Sequence, residues 1–176
     1  NLINLDNIII DSKSGYSGAG KKFDLNNIKS KLDYNFYNYN TNSHRHIIEI
    51  KQELLKNSNN EKIEFSFNPH ILPNYRGMMS SIYCDLKIGI NKEMVTDVLK
   101  SFEKNNYFIE IVNENQRLDF FSIQNTNYCK IKLYYVPNND KIIIVSAIDN
   151  LIKGAAGQAV QCFNICENLT ENISLI

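Results

Sequence analysis

Lys141-Ile142-Ile143-Ile144-Val145-Ser146-Ala147-Ile148 is eight residues long with only Lys141 and Ser146 polar. A run this short and this rich in β-branched residues reads as a strand, and apolar side chains at both parities call for a sheet covered on both faces. From about Asn150 to Asn168 the pattern becomes helical, and the first turns contain Gly154, Ala155, Ala156 and Gly157. A buried strand therefore feeds a helix opened by small residues, which admit either a neighbouring helix or a flat cofactor ring.

The other elements must build the sheet around that strand. Ile8 to Asp11 predicts a short strand ending in the turn Ser14-Gly15-Tyr16-Ser17-Gly18-Ala19-Gly20, and residues 24–43 read as a long irregular loop. Ile47, Ile50 and Leu54 recur at helical spacing between His46 and Lys56, whereas Ile63, Phe65 and Phe67 alternate as in a strand. Ser81–Ile90 predicts another strand, and Asn91 caps a helix through about Lys100 with Met94, Val95, Val98, Leu99 and Phe102 as its stripe. Strands follow near 107–112, 119–124 and 128–136, and Pro137-Asn138-Asn139-Asp140 is a turn. The sum is a single α+β domain over 1–176, a sheet flanked by helices.

Composition narrows the function. Lys plus Arg equals Asp plus Glu at 19 each, so the basic excess of a nucleic-acid protein is missing. No apolar run approaches the roughly 18–20 residues of a membrane-spanning helix. Cys84, Cys129, Cys162 and Cys166 lack paired C-x-x-C spacing, make a poor zinc site, and read as reduced cysteines of a cytoplasmic protein. Asn, Ile, Lys, Tyr and Phe supply about half of the chain, the mark of an AT-rich coding sequence. Against that bias, Arg45, Arg76 and Arg117 are the only arginines, and five of seven glycines fall in two clusters.

The glycine turn is ordered G-x-x-G-x-G, so it is no dinucleotide fingerprint. Its Ser14, Gly15, Ser17 and Gly18 either let a ligand approach backbone N–H groups or simply form a tight loop. In Ser43-His44-Arg45-His46-Ile47-Ile48-Glu49, extended geometry puts both histidines on one side and Arg45 on the other, with Glu49 a turn beyond His46. That set offers a titratable imidazole, a cation for an anionic substrate and an orienting carboxylate, or else a solvated helix start. Asn68-Pro69-His70-Ile71-Leu72-Pro73-Asn74-Tyr75-Arg76-Gly77 reads as a rigid connection presenting His70 and Arg76, the latter as an anion clamp. Asn150 stands where it can cap the last helix and offer an amide to a ligand.

Taken in order, Asp11–Gly20, His44-Arg45-His46 with Glu49-Ile50, Asn68-Pro69-His70 with Arg76-Gly77, and Ser146–Gln161 resemble the substrate-binding and dimerisation half of the N-acetyl-γ-glutamyl-phosphate reductases. The resemblance runs from residue 11 to 161. It implies a mixed, mostly antiparallel sheet of the glyceraldehyde-3-phosphate dehydrogenase C-terminal type, whose last helix packs on a Rossmann lobe preceding this chain. It also implies NADP, a homo-oligomer, and conversion of a small acyl phosphate to a semialdehyde in arginine biosynthesis. In that chemistry a cysteine thiolate displaces phosphate and hydride from NADPH reduces the thioester. The cysteine lies in an Asn-Pro-Gly-Cys segment that this chain does not contain, so the chain is expected to be a piece of a longer protein and inactive alone.

Carried over by the same resemblance, His44 or His46 is the acid/base, with a slight lean to His44. Arg45, Glu49 and Arg76 serve the substrate or the loops that bind it. Ser14, Gly15, Ser17, Gly18, Asn150, Gly154, Ala155, Gly157 and Gln158 line the cofactor. Ile48 stands where the family often has proline. Reductases of aminoadipyl or aspartyl phosphate, and a non-catalytic oligomerisation module, are the alternatives.

Overall fold

In the computed structural model, residues 2–18, 35–59, 61–137 and 139–175 are described. Seven strands form one sheet: β1 (Ile8–Gly15), β2 (Tyr37–Asn38), β3 (Phe65–Leu72), β4 (Met78–Asp85), β5 (Ile109–Ile111), β6 (Cys129–Tyr135) and β7 (Lys141–Ile148). Their spatial order is β2-β3-β1-β4-β7-β6-β5. β1 with β3 and β5 with β6 are parallel, and the other neighbours are antiparallel, which gives the expected mixed, mostly antiparallel sheet. Helices α1 (Ile47–Asn57) and α2 (Lys92–Lys104) lie between strands in sequence. Asn91 caps α2 as its chemistry dictates, its side-chain oxygen accepting the Met94 N–H at 3.0 Å.

Alternation along the strands sends one set of side chains under the helices. Ile8, Ile10, Phe67, Cys84 and Ile142 are buried there with Val95 of α2, and Ile47, Ile50, Leu54 and Leu99 pack over them. The opposite face is open in part. Ile9, Tyr83 and Tyr134 remain 44%, 40% and 43% exposed beside Ile143 and Val145, whereas Ala147 and Lys132 on the same face are buried. The expectation that both faces of β7 are covered is therefore met only towards its C-terminal end within this chain.

Five other expectations are corrected. Residues 119–124 are turns, not a strand: Asp119 Oδ1 accepts the Ser122 N–H at 3.0 Å, Ser122 Oγ donates to the Asp119 carbonyl at 2.8 Å, and these local bonds displace a ladder. β3 continues through Asn68-Pro69-His70, which is strand and not connection. Pro69 is tolerated one strand from the edge, where β2 spans only two residues and the Pro69 carbonyl still takes the Tyr39 N–H at 3.0 Å. β4 starts at Met78 and ends at Asp85; a turn through Gly89 (φ +85°) follows. Residues 152–156 form a wide π-type turn before α3 (Gly157–Cys166), and β5 keeps only three of the six residues expected. Ala19, Gly20 and 24–34 of the expected loop, with Asn138, lie outside the described residues.

No helix is long and apolar enough to cross a membrane among the described residues. The cysteines divide by position. Cys84 is buried in the core, and burial, with Asp85 adding to it, pushes its thiol up to about 11; Cys162 and Cys166 are exposed on α3. Iodoacetamide at pH 8 is expected to label Cys162 and Cys166 and to spare Cys84 until the chain unfolds, as read by peptide mass mapping.

Candidate functional site

Parallel strands β1 and β3 end side by side, Gly15 opposite Leu72, and the 73–77 loop folds back over the glycine turn. Three successive N–H groups are taken up there: Gly15 by the Gly77 carbonyl (2.8 Å), Tyr16 by Asn74 (2.9 Å) and Ser17 by Tyr75 (3.1 Å). A Cβ on Gly15 would stand 2.6 Å from the Tyr75 carbonyl oxygen. The close approach that requires glycine at 15 is thus made by the chain's own backbone, and those three donors are not offered to an anion. Ser14 Oγ donates to the Gly15 carbonyl, and Gly18 stays exposed.

A polar knot fixes this turn from behind. Asp149, 0% exposed, takes the Leu151 and Ile152 N–H groups on Oδ1 (2.8 and 3.0 Å) and the Asn125 N–H on Oδ2 (2.8 Å). Arg76 Nε lies 2.5 Å from the same Oδ2, its Nη1 donates to Asn125 Oδ1 at 2.8 Å, and Gln124 donates to its carbonyl. Burial alone raises the Asp149 carboxyl, but Arg76 and the three backbone donors outweigh it and hold it below its usual value. Asp149, and not Asn150 as expected, takes the first free N–H groups at the entry to the last helical segment. Both ends of the Asn150 amide are used elsewhere: Oδ1 accepts the Gly77 N–H at 2.7 Å and Nδ2 donates to Ser17 Oγ at 2.8 Å.

Around the last helix, Gly154 and Ala155 face outward, and a Cβ on Gly154 would meet only ordinary contacts, the nearest Ile148 Cδ1 at 3.5 Å. Gly157 is buried, and its Cβ would fall on Asn127 Oδ1 and on Ile152 Cγ2. Gln158 donates to Cys162 Sγ at 3.3 Å.

The histidine pair sits elsewhere. Its residues open α1, and the His44 ring packs edge-to-face on Phe67 with centroids 5.5 Å apart. Phe67 pairs with Ile10, five positions before Gly15, so at about 3.3 Å per residue roughly 17 Å of strand separates the two clusters. The structure brings Ser14, Gly15, Ser17, Arg76 and Asn150 together; it does not bring His44, Arg45, His46 and Glu49 into contact with them among the described residues. Arg45 makes no hydrogen bond or ion pair there. His70 is turned to the open sheet face, Nδ1 3.1 Å from Asp11 Oδ1, with Phe36 stacked on it.

Asp149, Asn125 and Tyr39 escaped the sequence. A polar residue at the foot of an apolar strand, just before a helical pattern, is a legible signal for Asp149 as an acceptor of free N–H groups. Asn125 and Tyr39 carry none in a chain so rich in both.

The family described as "Semialdehyde dehydrogenase, dimerisation domain" matches residues 1–150. N-acetyl-gamma-glutamyl-phosphate reductase of Caldicellulosiruptor bescii is 43% identical over 175 residues, covering 99% of this chain and 50% of that protein. The same-named proteins of Halothermothrix orenii and Ehrlichia canis are 40% and 39% identical at the same two coverages. The chain spans about half the length of the curated relatives it matches. Among solved structures, aspartate semialdehyde dehydrogenase II from Vibrio cholerae superposes with a TM-score of 0.74 at 17% identity, over 94% of this chain and 56% of that one. The aspartate semialdehyde dehydrogenase of Francisella tularensis gives 0.67 at 14%, over 94% and 58%. These two likenesses are of fold.

Proposed function

This chain belongs to the semialdehyde dehydrogenase dimerisation-domain family, and from that premise we propose that it is the substrate-binding and dimerisation half of an N-acetyl-γ-glutamyl-phosphate reductase. The observation that carries the proposal is identity of 39–43% along nearly all of the chain to proteins of that name. In the whole protein a preceding Rossmann lobe holds the nucleotide and supplies the nucleophilic cysteine. The exposed apolar side of α3, with Phe163 60% and Ile165 55% exposed, suits that lobe, and the open sheet face suits a second copy of the chain.

The residues here fit a nicotinamide cofactor at one place. Gly154 and Ala155 leave bare backbone at the surface beside the Ser17–Asn150 pair, where no internal contact demands glycine. When bound, NADPH supplies hydride to the acyl carbon. This chain's own residues bind and protonate: Arg45, with no ion pair among the described residues, offers its guanidinium to a carboxylate or phosphate. One ring of the His44–His46 pair moves the proton between thiol and product. Arg76, committed to Asp149 and Asn125, holds the loops that frame the site.

The test is the reverse reaction of the full-length protein. NADP reduction with N-acetylglutamate semialdehyde is expected to require phosphate and to fall at least tenfold with aspartate semialdehyde. Equal or better turnover of the aspartyl compound, or none of either in a folded protein, would sink the proposal.

A further inference from the structure

Helix α3 is built inside out. Its buried residues are Gly157, Gln161 and Asn164, whereas Phe163 and Ile165 are 60% and 55% exposed. A surface helix normally buries its apolar stripe, and amides buried in its place must find hydrogen-bond partners. Here they form one network. Gln161 Oε1 accepts from Lys153 Nζ at 2.7 Å and from Asn127 Nδ2 at 3.0 Å, and Gln161 Nε2 donates to Glu171 Oε2 at 2.9 Å. The other Glu171 oxygen accepts the Tyr107 N–H at 3.1 Å. Asn164 Nδ2 donates to the carbonyls of Glu171 and Ile173 at 3.1 and 3.0 Å. A Cβ on Gly157 would stand 2.4 Å from Asn127 Oδ1, so glycine at 157 is what lets the Asn127 amide reach Gln161.

The network has a cation at one end and an anion at the other. Between them the Gln161 amide turns its oxygen to Lys153 and its N–H to Glu171, so its dipole is aligned with both charges. Lys153 makes no direct ion pair among the described residues, and its Nζ lies 5.6 Å from the centroid of the Phe108 ring. Burial lowers its pKa, and Cys129, Glu171 and Cys162 oppose that. The ammonium of a surface lysine ordinarily snorkels to water, but this one is drawn into the fold. Lys153 is also the second residue of the 152–156 turn. There the N–H groups of Gly154 and Ala156 reach back five residues to the Asp149 and Leu151 carbonyls at 2.9 and 3.3 Å, and Gly157 reaches Ile152 in the same way. This wide geometry is rare and depends on its surroundings to persist. With residue 153 anchored inward, Gly154 and Ala155 are turned outward.

We propose that Lys153 is a positioning residue for the nicotinamide cofactor: tied through Gln161 to Glu171, it holds the 152–156 turn in the form that presents the Gly154–Ala155 backbone. The assignment rests on the cofactor place proposed above. It also makes Glu171, in the turns after α3, a determinant of cofactor affinity that acts through Gln161.

The experiment uses the full-length protein with NADPH as the probe, titrated by its own fluorescence without substrate. Amide hydrogen exchange across residues 151–158 is followed in the same protein free of cofactor. Lys153→Met is expected to raise the NADPH Kd about tenfold and to speed exchange of those amides about tenfold, because a preorganised turn is lost. KM for the acyl phosphate is expected to stay within about twofold, and kcat at saturating NADPH within about threefold. Lys153→Arg, whose guanidinium can still donate to Gln161, restores most of both losses. Glu171→Gln, the variant safest for folding, shifts Kd and exchange the same way by about threefold, since Gln161 loses an anion and keeps an acceptor. Weaker binding in Lys153→Met with unchanged exchange would mean that the ammonium touches the cofactor directly. Faster exchange with unchanged Kd would mean that the turn does not meet the cofactor. Either result overturns the proposal. A folded wild type that binds no NADPH sinks the reductase reading and this inference with it. A wild type that binds NADPH, with Lys153→Met and Glu171→Gln binding equally well, sinks this inference alone.

Discussion

Replacing Arg76 by methionine is expected to destabilise the full-length protein by about 3 kcal/mol at neutral pH, read as a lowered urea midpoint at unchanged slope. Asp149 is fully enclosed, and Arg76 is its only cationic partner among the described residues. Methionine keeps much of the stem and removes the charge, leaving a buried carboxylate with three backbone donors. The lower end of the usual range for breaking a buried pair applies, since those donors remain.

The pH dependence has a definite sign. In the wild type the folded Asp149 pKa is depressed, so its contribution is complete above the unfolded carboxyl's value of about 4 and is lost as pH falls through the lower folded value. In Arg76→Met, burial is no longer outweighed to the same degree, and the folded carboxyl rises. The variant's deficit is therefore expected to shrink towards acid. A deficit independent of pH between 3 and 7 would show that the ion pair is not its source. Adding Asp149→Asn to Arg76→Met is expected to recover part of the loss, because the uncompensated charge goes.

Gly77→Ala is expected to cost about 3 kcal/mol by two separable routes. Residue 77 has φ +116°, which strains an L side chain by about 1–3 kcal/mol. Its Cβ would also stand 2.7 Å from Cγ of the Phe120 ring, an overlap worth about 1–3 kcal/mol in a packed setting. Gly89 separates the two, for it has φ +85° and nothing within 4 Å of an added Cβ. Gly89→Ala is expected to cost about 1 kcal/mol by the same denaturation measurement. Equal losses at 77 and 89 would remove Phe120 from the account. Because the Gly77 N–H and carbonyl hold Asn150 and Gly15, Gly77→Ala also loosens the glycine turn.

The sequence located the helices by their 3.6-residue period, the Asn91 cap by its carboxamide, and the apolar strand β7 by composition, since each is set by neighbours a few residues away. It also singled out the glycine turn and the His-Arg-His run as unusual against the chain's own bias. It could not say why Gly15 or Gly157 must be glycine, for the atoms that forbid a Cβ there come from the 73–77 loop and from Asn127.

What tertiary structure decided has a common cause. The Asn150 amide is committed to residues 73 and 133 positions away, and Arg76 to Asn125, 49 away. Hydrogen bonds of that reach leave no periodic trace. The stretch 119–124 has alternation enough for a strand, but Asp119 and Ser122 bond each other and no partner edge is offered. The two histidines look interchangeable as letters. Only the backbone N–H that turns back onto His44, with Tyr39 and Phe67 closing round its ring, encloses one of them and leaves the other exposed.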